Sequence, residues 1–406
     1  MEAQKNSIRA KAEARKQIKD TEYYGSLEAK IQKGRKDFSI SGGKTTTHEK
    51  GAFYTVEGKE HGGSLGIIND GKKKGLEATY YNKQTDTKGH KLGKLDISNT
   101  HTQENRYNGA IIKDKKGLIM KGGYAHSDTN THKIEYGKFS AEHSKKDFHD
   151  TQGHLRITNN KLNAGFTHTQ GTEHSVSAQL GEHIRAEGSV GHTQTIKGGL
   201  NVDKHGVAVK GSYENAYNAQ AHINVGNTNI DAKGKAAEKT YGSASIKVKN
   251  GQFDAKAKIG KEYSASGEIS VNGKKLASVD ASAKGEASAG LTINKNKIAA
   301  QAGVDAQAKA KVAFGHTEVK FGIKIDFHIG FSFDFKTGLH FDIGGGIHAE
   351  LSVKDTETGK ETKLFSSPGT PSYILYRKRK IGKKNMKKAQ KNKIIGQACR
   401  PSGHRA

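Results

Sequence analysis

The sequence predicts an all-β protein, a long antiparallel meander of repeated hairpins forming an extended or wrapped sheet. Three observations carry this. Tight-turn signals recur at near-constant spacing. Side chains between them alternate with period two. The only prolines are Pro368, Pro371 and Pro401, so the first 367 residues contain none. Proline cannot donate to a β ladder, and a long stretch without it suits continuous strand pairing.

The turn signals are "NDG" ending at Gly71, "KDKKG" at Gly117, "TNNK" at Asn160, "DKHG" at Gly206, "KNG" at Gly251 and "NKNK" at Asn296. They lie 46, 43, 46, 45 and 45 residues apart. Asn272-Gly273 falls midway between the last two, with weaker half-period signals in "LGEH" near His183 and "GNTN" near Asn227. The expected unit is therefore a hairpin of roughly 22–23 residues with about nine residues per strand, longer than the usual ~5–6. Asn-Gly pairs suit type I′ turns, in which both central residues need positive φ.

Taken in order, residues 1–36 read as a charged N-terminal helix or arm, with Ile8, Ala12 and Arg15 on one face. A β-hairpin repeat domain is expected over 37–367. In "VKNGQFDAKAKIG", Phe253, Ala255, Ala257 and Ile259 alternate with Asp254, Lys256 and Lys258, which gives one small apolar face and one charged face. Residues 278–303 are mostly Ala, Ser and Gly. Alanine favours helix, but the interrupting glycines and the period of two favour strand. Only 33 % of the chain is apolar and 7 % aromatic, with no Trp, against ~45–50 % apolar in an average globular chain. Cross-strand pairing, more than a thick core, must hold such a sheet. The strongest apolar strand is "FGIKIDFHIGFSFDF", in which Phe321, Ile323, Ile325, Phe327, Ile329, Phe331, Phe333 and Phe335 share one face. It is expected to form or cap the core.

Residues 368–406 form a basic tail, disordered or helical. From 372 onward it carries twelve Lys/Arg and no Asp or Glu, which leaves +15 of the net +27 on the rest of the chain. Such charge favours anionic polymers or surfaces: nucleic acid, acidic glycan or anionic lipid. The candidate binding residues are Arg377, Lys378, Arg379, Lys380, Lys383, Lys384, Lys387, Lys388, Lys391 and Lys393, with Tyr373 and Tyr376 able to stack on bases. Exposed sheet edges add a route to self-association.

No catalytic arrangement stands out, and the expectation is a non-enzymatic protein with no cofactor. "GIINDGKK", Gly66 to Lys73, has the outline of a phosphate-binding loop, but Lys73 replaces the Ser/Thr that ligates Mg²⁺ and strand residues follow. It reads as a hairpin turn, and Gly344–Gly346 as a bend or close packing. Fifteen of the twenty histidines fall between His48 and His222, spread over many strands, so no metal site is assigned. Their full protonation takes the charge from +27 toward +47. The single cysteine, Cys399, excludes an intrachain disulfide. The N-terminus lacks the apolar core of a signal peptide, and no apolar run reaches the ~18 residues of a membrane helix. The expected location is cytoplasmic or reached by non-classical secretion.

"AKGEASAGLTINKNKIAAQAGVDAQAKAKVAFGHTEVKFG", Ala283 to Gly322, and the following "IGFSFDF…FDIGGG", to Gly346, resemble the Gly/Ala/Lys-rich β-repeat regions of bacterial secreted polymorphic toxins. The resemblance implies a passive repetitive module in a secreted or delivered effector; an adhesin role also fits the scaffold class. The sequence reading is thus a structural or interaction protein with a cationic β surface. The alternative is a nucleic-acid-binding protein acting through its tail.

Overall fold

A computed structural model describes residues 8–226 and 230–366. They form one sheet of eighteen strands. These are β1 (Ile8–Ile18), β2 (Thr21–Gln32), β3 (Arg35–Lys50), β4 (Phe53–Asn69), β5 (Lys73–Leu92), β6 (Leu95–Asp114), β7 (Gly117–Tyr136), β8 (Phe139–Thr158) and β9 (Lys161–Leu180). There follow β10 (Ile184–Asp203), β11 (Gly206–Val225), β12 (Ile230–Lys249), β13 (Gln252–Val271), β14 (Lys274–Ile293), β15 (Lys297–Phe314), β16 (Thr317–Asp334), β17 (Gly338–Asp355) and β18 (Glu361–Ser366). Every strand pairs antiparallel with its neighbours in sequence, as β1–β2, β9–β10 and β17–β18 illustrate, and the sheet is an open meander.

The turns fall where the sequence places them. Asn250 and Gly251 have φ of 51° and 74°, and Asn272 and Gly273 have 51° and 73°, the left-handed pair of a type I′ turn. "GIINDGKK" is the β4–β5 hairpin; Asp70 Oδ1 accepts from the Lys72 and Lys73 N–H groups at 2.9 and 2.6 Å. The "GNTN" turn lies partly outside the described residues.

Two expectations are corrected. The repeating unit of 22–23 residues is a single strand plus its turn, not a hairpin of two nine-residue strands: β5 to β13 run 20 residues each, about 66 Å at ~3.3 Å per residue. Each half-period turn belongs to the opposite end of the sheet, so a full hairpin spans the ~45-residue period. Among the described residues the N-terminal segment is also strand and not helix. Ile8–Ile18 pairs with β2 through eleven residues in register, and Arg9 binds Glu28 with two bonds of 2.8 and 3.1 Å. Its alternation of Ile8, Ala10, Ala12 and Ala14 with Arg9, Lys11, Glu13 and Arg15 is a strand pattern, and pairing overrides the helix propensity of Ala, Arg and Lys.

Because the turns are tight, register brings equivalent positions side by side across the sheet. Leu200, Val209, Ile246, Ala255 and Leu291 form part of one such row over β10 to β14. Another holds Asn82, Asn105, His126 and His149 over β5 to β8. Within it Asn105 donates to Asn82 at 3.0 Å and accepts from the Tyr124 hydroxyl at 2.9 Å, and it lies 2.8 Å from His126 Nδ1.

The sheet curls. Among the described residues, those classed as buried are Gly62, Gly66, Ile112, Gly260, Ser278, Gly344, Gly346 and Ser352. By register all eight occupy the same face, which is therefore the crowded, concave one. This face encloses a trough of about 1050 Å³ reaching from β8 to β18, with Ser189, Asn218, Lys235, Ser264, Lys309 and Glu350 in its wall. The opposite face is convex and carries the large apolar side chains. Ile111 is 53 % exposed, Ile246 51 % and Ile329 43 %. Residues 321–335 are thus not a core: their apolar face lies on the outside. The only large apolar side chain buried among the described residues is Ile112, so backbone pairing carries the fold.

Candidate anion-binding rim

The concave face is charged, and part of its charge is paired. Lys258 and Lys284 lie 2.7 and 3.4 Å from Glu286, which also accepts from the Tyr241 hydroxyl at 2.7 Å. Lys311 reaches Glu318 at 2.9 Å, and Lys239 reaches Glu214 at 2.7 Å. In the trough, Ser352 donates to Glu361 at 2.8 Å, and Lys320 stands 3.4 Å from the same carboxylate. Such ladders cancel part of the charge on the face.

Part of the surplus cation is concentrated on the turns at one end of the strands; the turns at the other end carry Lys19, Lys94, Lys138 and Lys360 beside Asp20, Glu182 and Glu357. Lys33, Lys72, Lys115, Lys116, Lys204, Lys295 and Lys336 occupy the turns after the even-numbered strands β2, β4, β6, β10, β14 and β16. Between the β6–β7 and β8–β9 turns lies a cleft of about 660 Å³ lined by Lys115, Lys116, Arg156 and Lys161 with Asn159, Asn160 and Asn163. Arg156 binds Asp114 at 3.0 Å. Asp114 Oδ1 accepts from the Lys116 and Gly117 N–H groups at 2.7 and 2.8 Å. The Lys116 N–H is the chief cause holding that carboxyl below its ordinary range. Among the described residues no carboxylate lies within ion-pair distance of Lys115, Lys116 or Lys161. The cleft offers three free ammonium groups and an amide fringe, the donor set that suits phosphate or sulfate oxygens.

The predicted tail residues Arg377, Lys378, Arg379, Lys380, Lys383, Lys384, Lys387, Lys388, Lys391 and Lys393 lie outside the described residues. The rim was missed in the sequence, although its signal was in the quoted turns: "KDKKG", "DKHG" and "NKNK" each place lysine inside the reversal. The histidines fall mostly on the convex face of β4 to β10, some in stacked pairs such as His132 and His143 with ring centroids 6.2 Å apart. Among the described residues no three His, Cys, Asp or Glu side chains converge as a metal site.

Comparison with protein-family models and with curated proteins returns no match to this chain. The geometry defines its class as an open β-meander with a polar concave face, an apolar convex face and a lysine-bearing rim.

Proposed function

We propose that this is a non-enzymatic structural and interaction protein, of the kind found in secreted effectors and adhesins, whose cationic β framework engages anionic partners. The observation that supports the reading is the clustering of cations on the rim: Lys115, Lys116, Arg156 and Lys161 line one cleft between two turns, and among the described residues no carboxylate pairs with Lys115, Lys116 or Lys161. A repeated scaffold presents such groups many times, so weak contacts add along an anionic surface.

Binding of the full chain to vesicles with anionic phosphate headgroups tests this. Affinity should fall steeply with salt, and the triple variant Lys115→Ala, Lys116→Ala, Lys161→Ala should bind several-fold more weakly. Equal binding by the triple variant at low salt removes the rim from the reading.

A second reading, nucleic-acid binding through the tail, is favoured by the twelve Lys/Arg without Asp or Glu in 372–406. Deleting 372–406 should then abolish salt-sensitive binding to nucleic acid. Unchanged binding assigns it to the sheet.

A further inference from the structure

A water-soluble sheet turns its apolar face inward. This one does the reverse, and the apolar positions are organised. Consider the row containing Leu200, Val209 and Ile246 together with the two rows next to it toward the strand middles. Followed from β1 to β17, these three rows contain one Lys, Arg, Asp or Glu residue, Lys36. From β7 to β17 a fourth row, through Leu162, Val202 and Val248, extends the band to the turns. Four alternating rows occupy eight residues of strand, about 26 Å at ~3.3 Å per residue. Membrane β-strands carry an outward apolar band of about 25 Å against a hydrocarbon core of about 30 Å.

The flanks of the band fit the same environment. On one side stands the lysine rim. On the other, the band's own innermost row carries Tyr80, Tyr107 and Tyr124 side by side across β5 to β7, with ring centroids 6.0 and 4.9 Å apart, and Tyr213 in β11; the next row inward is polar, with Asn82, Asn105, His126 and His149. Tyrosine girdles and lysine ends are the residues that settle at the boundary between headgroups and hydrocarbon. Behind the band, on the concave face, the alternate positions are mostly small or polar: Ser245 and Lys247 flank Ile246, and Gly330 and Ser332 flank Phe331.

From this placement we infer that the convex face docks on the hydrocarbon of a lipid bilayer, with the sheet as the wall of a pore whose lumen is the polar concave face. The inference deepens the reading above by naming the anionic surface as membrane, yet its apolar contact does not need the rim's charge. Hydrocarbon cannot solvate an open ladder edge. The edge of β1, which pairs only with β2 among the described residues, therefore pairs on insertion with the far end of the sheet or with a second copy.

The test uses full-length protein, zwitterionic vesicles holding a self-quenching dye, and salt near 1 M, where the ~3 Å Debye length silences the rim. Dye release is expected under these conditions. In a Cys399→Ser background, an environment-sensitive fluorophore on Ile246→Cys should enter a dry environment and be quenched from the lipid chains. The same label on Lys247→Cys should stay open to an aqueous quencher. Ile246→Lys should lower release by about thirtyfold or more, as lysine at hydrocarbon depth demands, while Ser245→Lys on the concave face retains it. Circular dichroism in buffer reports that both variants keep the sheet, since position 246 is half exposed. An aqueous signal at 246 with vesicles present overturns the inference. So does a dry signal without lipid accompanied by a doubled mass, which assigns the face to a second copy. Salt-sensitive binding to anionic vesicles with no release from zwitterionic ones upholds the rim and rejects the pore wall.

Discussion

The glycine that opens β11 offers a measurable contrast with the glycine of the next turn at the same end of the sheet. Gly206 has φ of 156°, and a Cβ built there stands 1.8 Å from the Val248 carbonyl oxygen and 2.8 Å from Lys249 Cα. The neighbouring strand β12 must move, or the β11–β12 pairing must open at that end. Gly251 has φ of 74°, and its Cβ meets nothing within 4 Å. For Gly206→Ala, a backbone region that L residues rarely adopt costs about 1–3 kcal/mol, and loss of one ladder bond adds about 1 kcal/mol. The expected loss is roughly 3 kcal/mol. For Gly251→Ala only the left-handed backbone matters, about 1–2 kcal/mol. Urea unfolding followed by circular dichroism measures both. The expected order is Gly206→Ala well below Gly251→Ala, with equal slopes. Equal losses, or a smaller loss at Gly206, contradict the close approach of β11 and β12 and refute the reasoning.

Two further outcomes follow from the same geometry. The turn carboxylates Asp70, Asp114, Asp334 and Asp355 are held below their ordinary range, chiefly by backbone N–H donors at Lys73, Lys116, Lys336 and Thr358 respectively. A depressed folded value means the contribution is complete above the ordinary Asp value of about 3.9 and is lost as pH falls through the lower folded values. The urea midpoint should therefore drop between about pH 5 and about pH 2, and changing all four to Asn should flatten that drop. Asn105→Ala should destabilise by about 1–2 kcal/mol because three partners lose their bond to it. Gln84→Ala, which removes one exposed bond to Asp86, should stay within about 0.5 kcal/mol.

Much of the meander was legible. Asn250-Gly251 and Asn272-Gly273 announced their turns because only a few residues accept positive φ, and that constraint is local. The strand reading of the Ala-rich 278–303 held for the same kind of reason, a period of two broken by glycines. Residues 8–18 misled because their composition favours helix, while the decisive interaction, eleven pairs with β2, is not in the segment itself. The strand length was misjudged by halving the period: a turn signal marks a reversal without saying at which end of the sheet it lies. The lysine rim escaped notice because its members stand some 45 residues apart and become neighbours only when the turns line up.

Beyond the first strands, the sequence alone determined the β character of the chain, its alternation of apolar and polar positions, and the places where the chain reverses, since each follows from the stereochemistry of a few adjacent residues. Only the tertiary structure decided that the apolar alternates of seventeen strands join into one band and that this band lies on the convex side. Both depend on register and curvature, and these are set by the pairing of each strand with its neighbours and accumulate across the whole sheet.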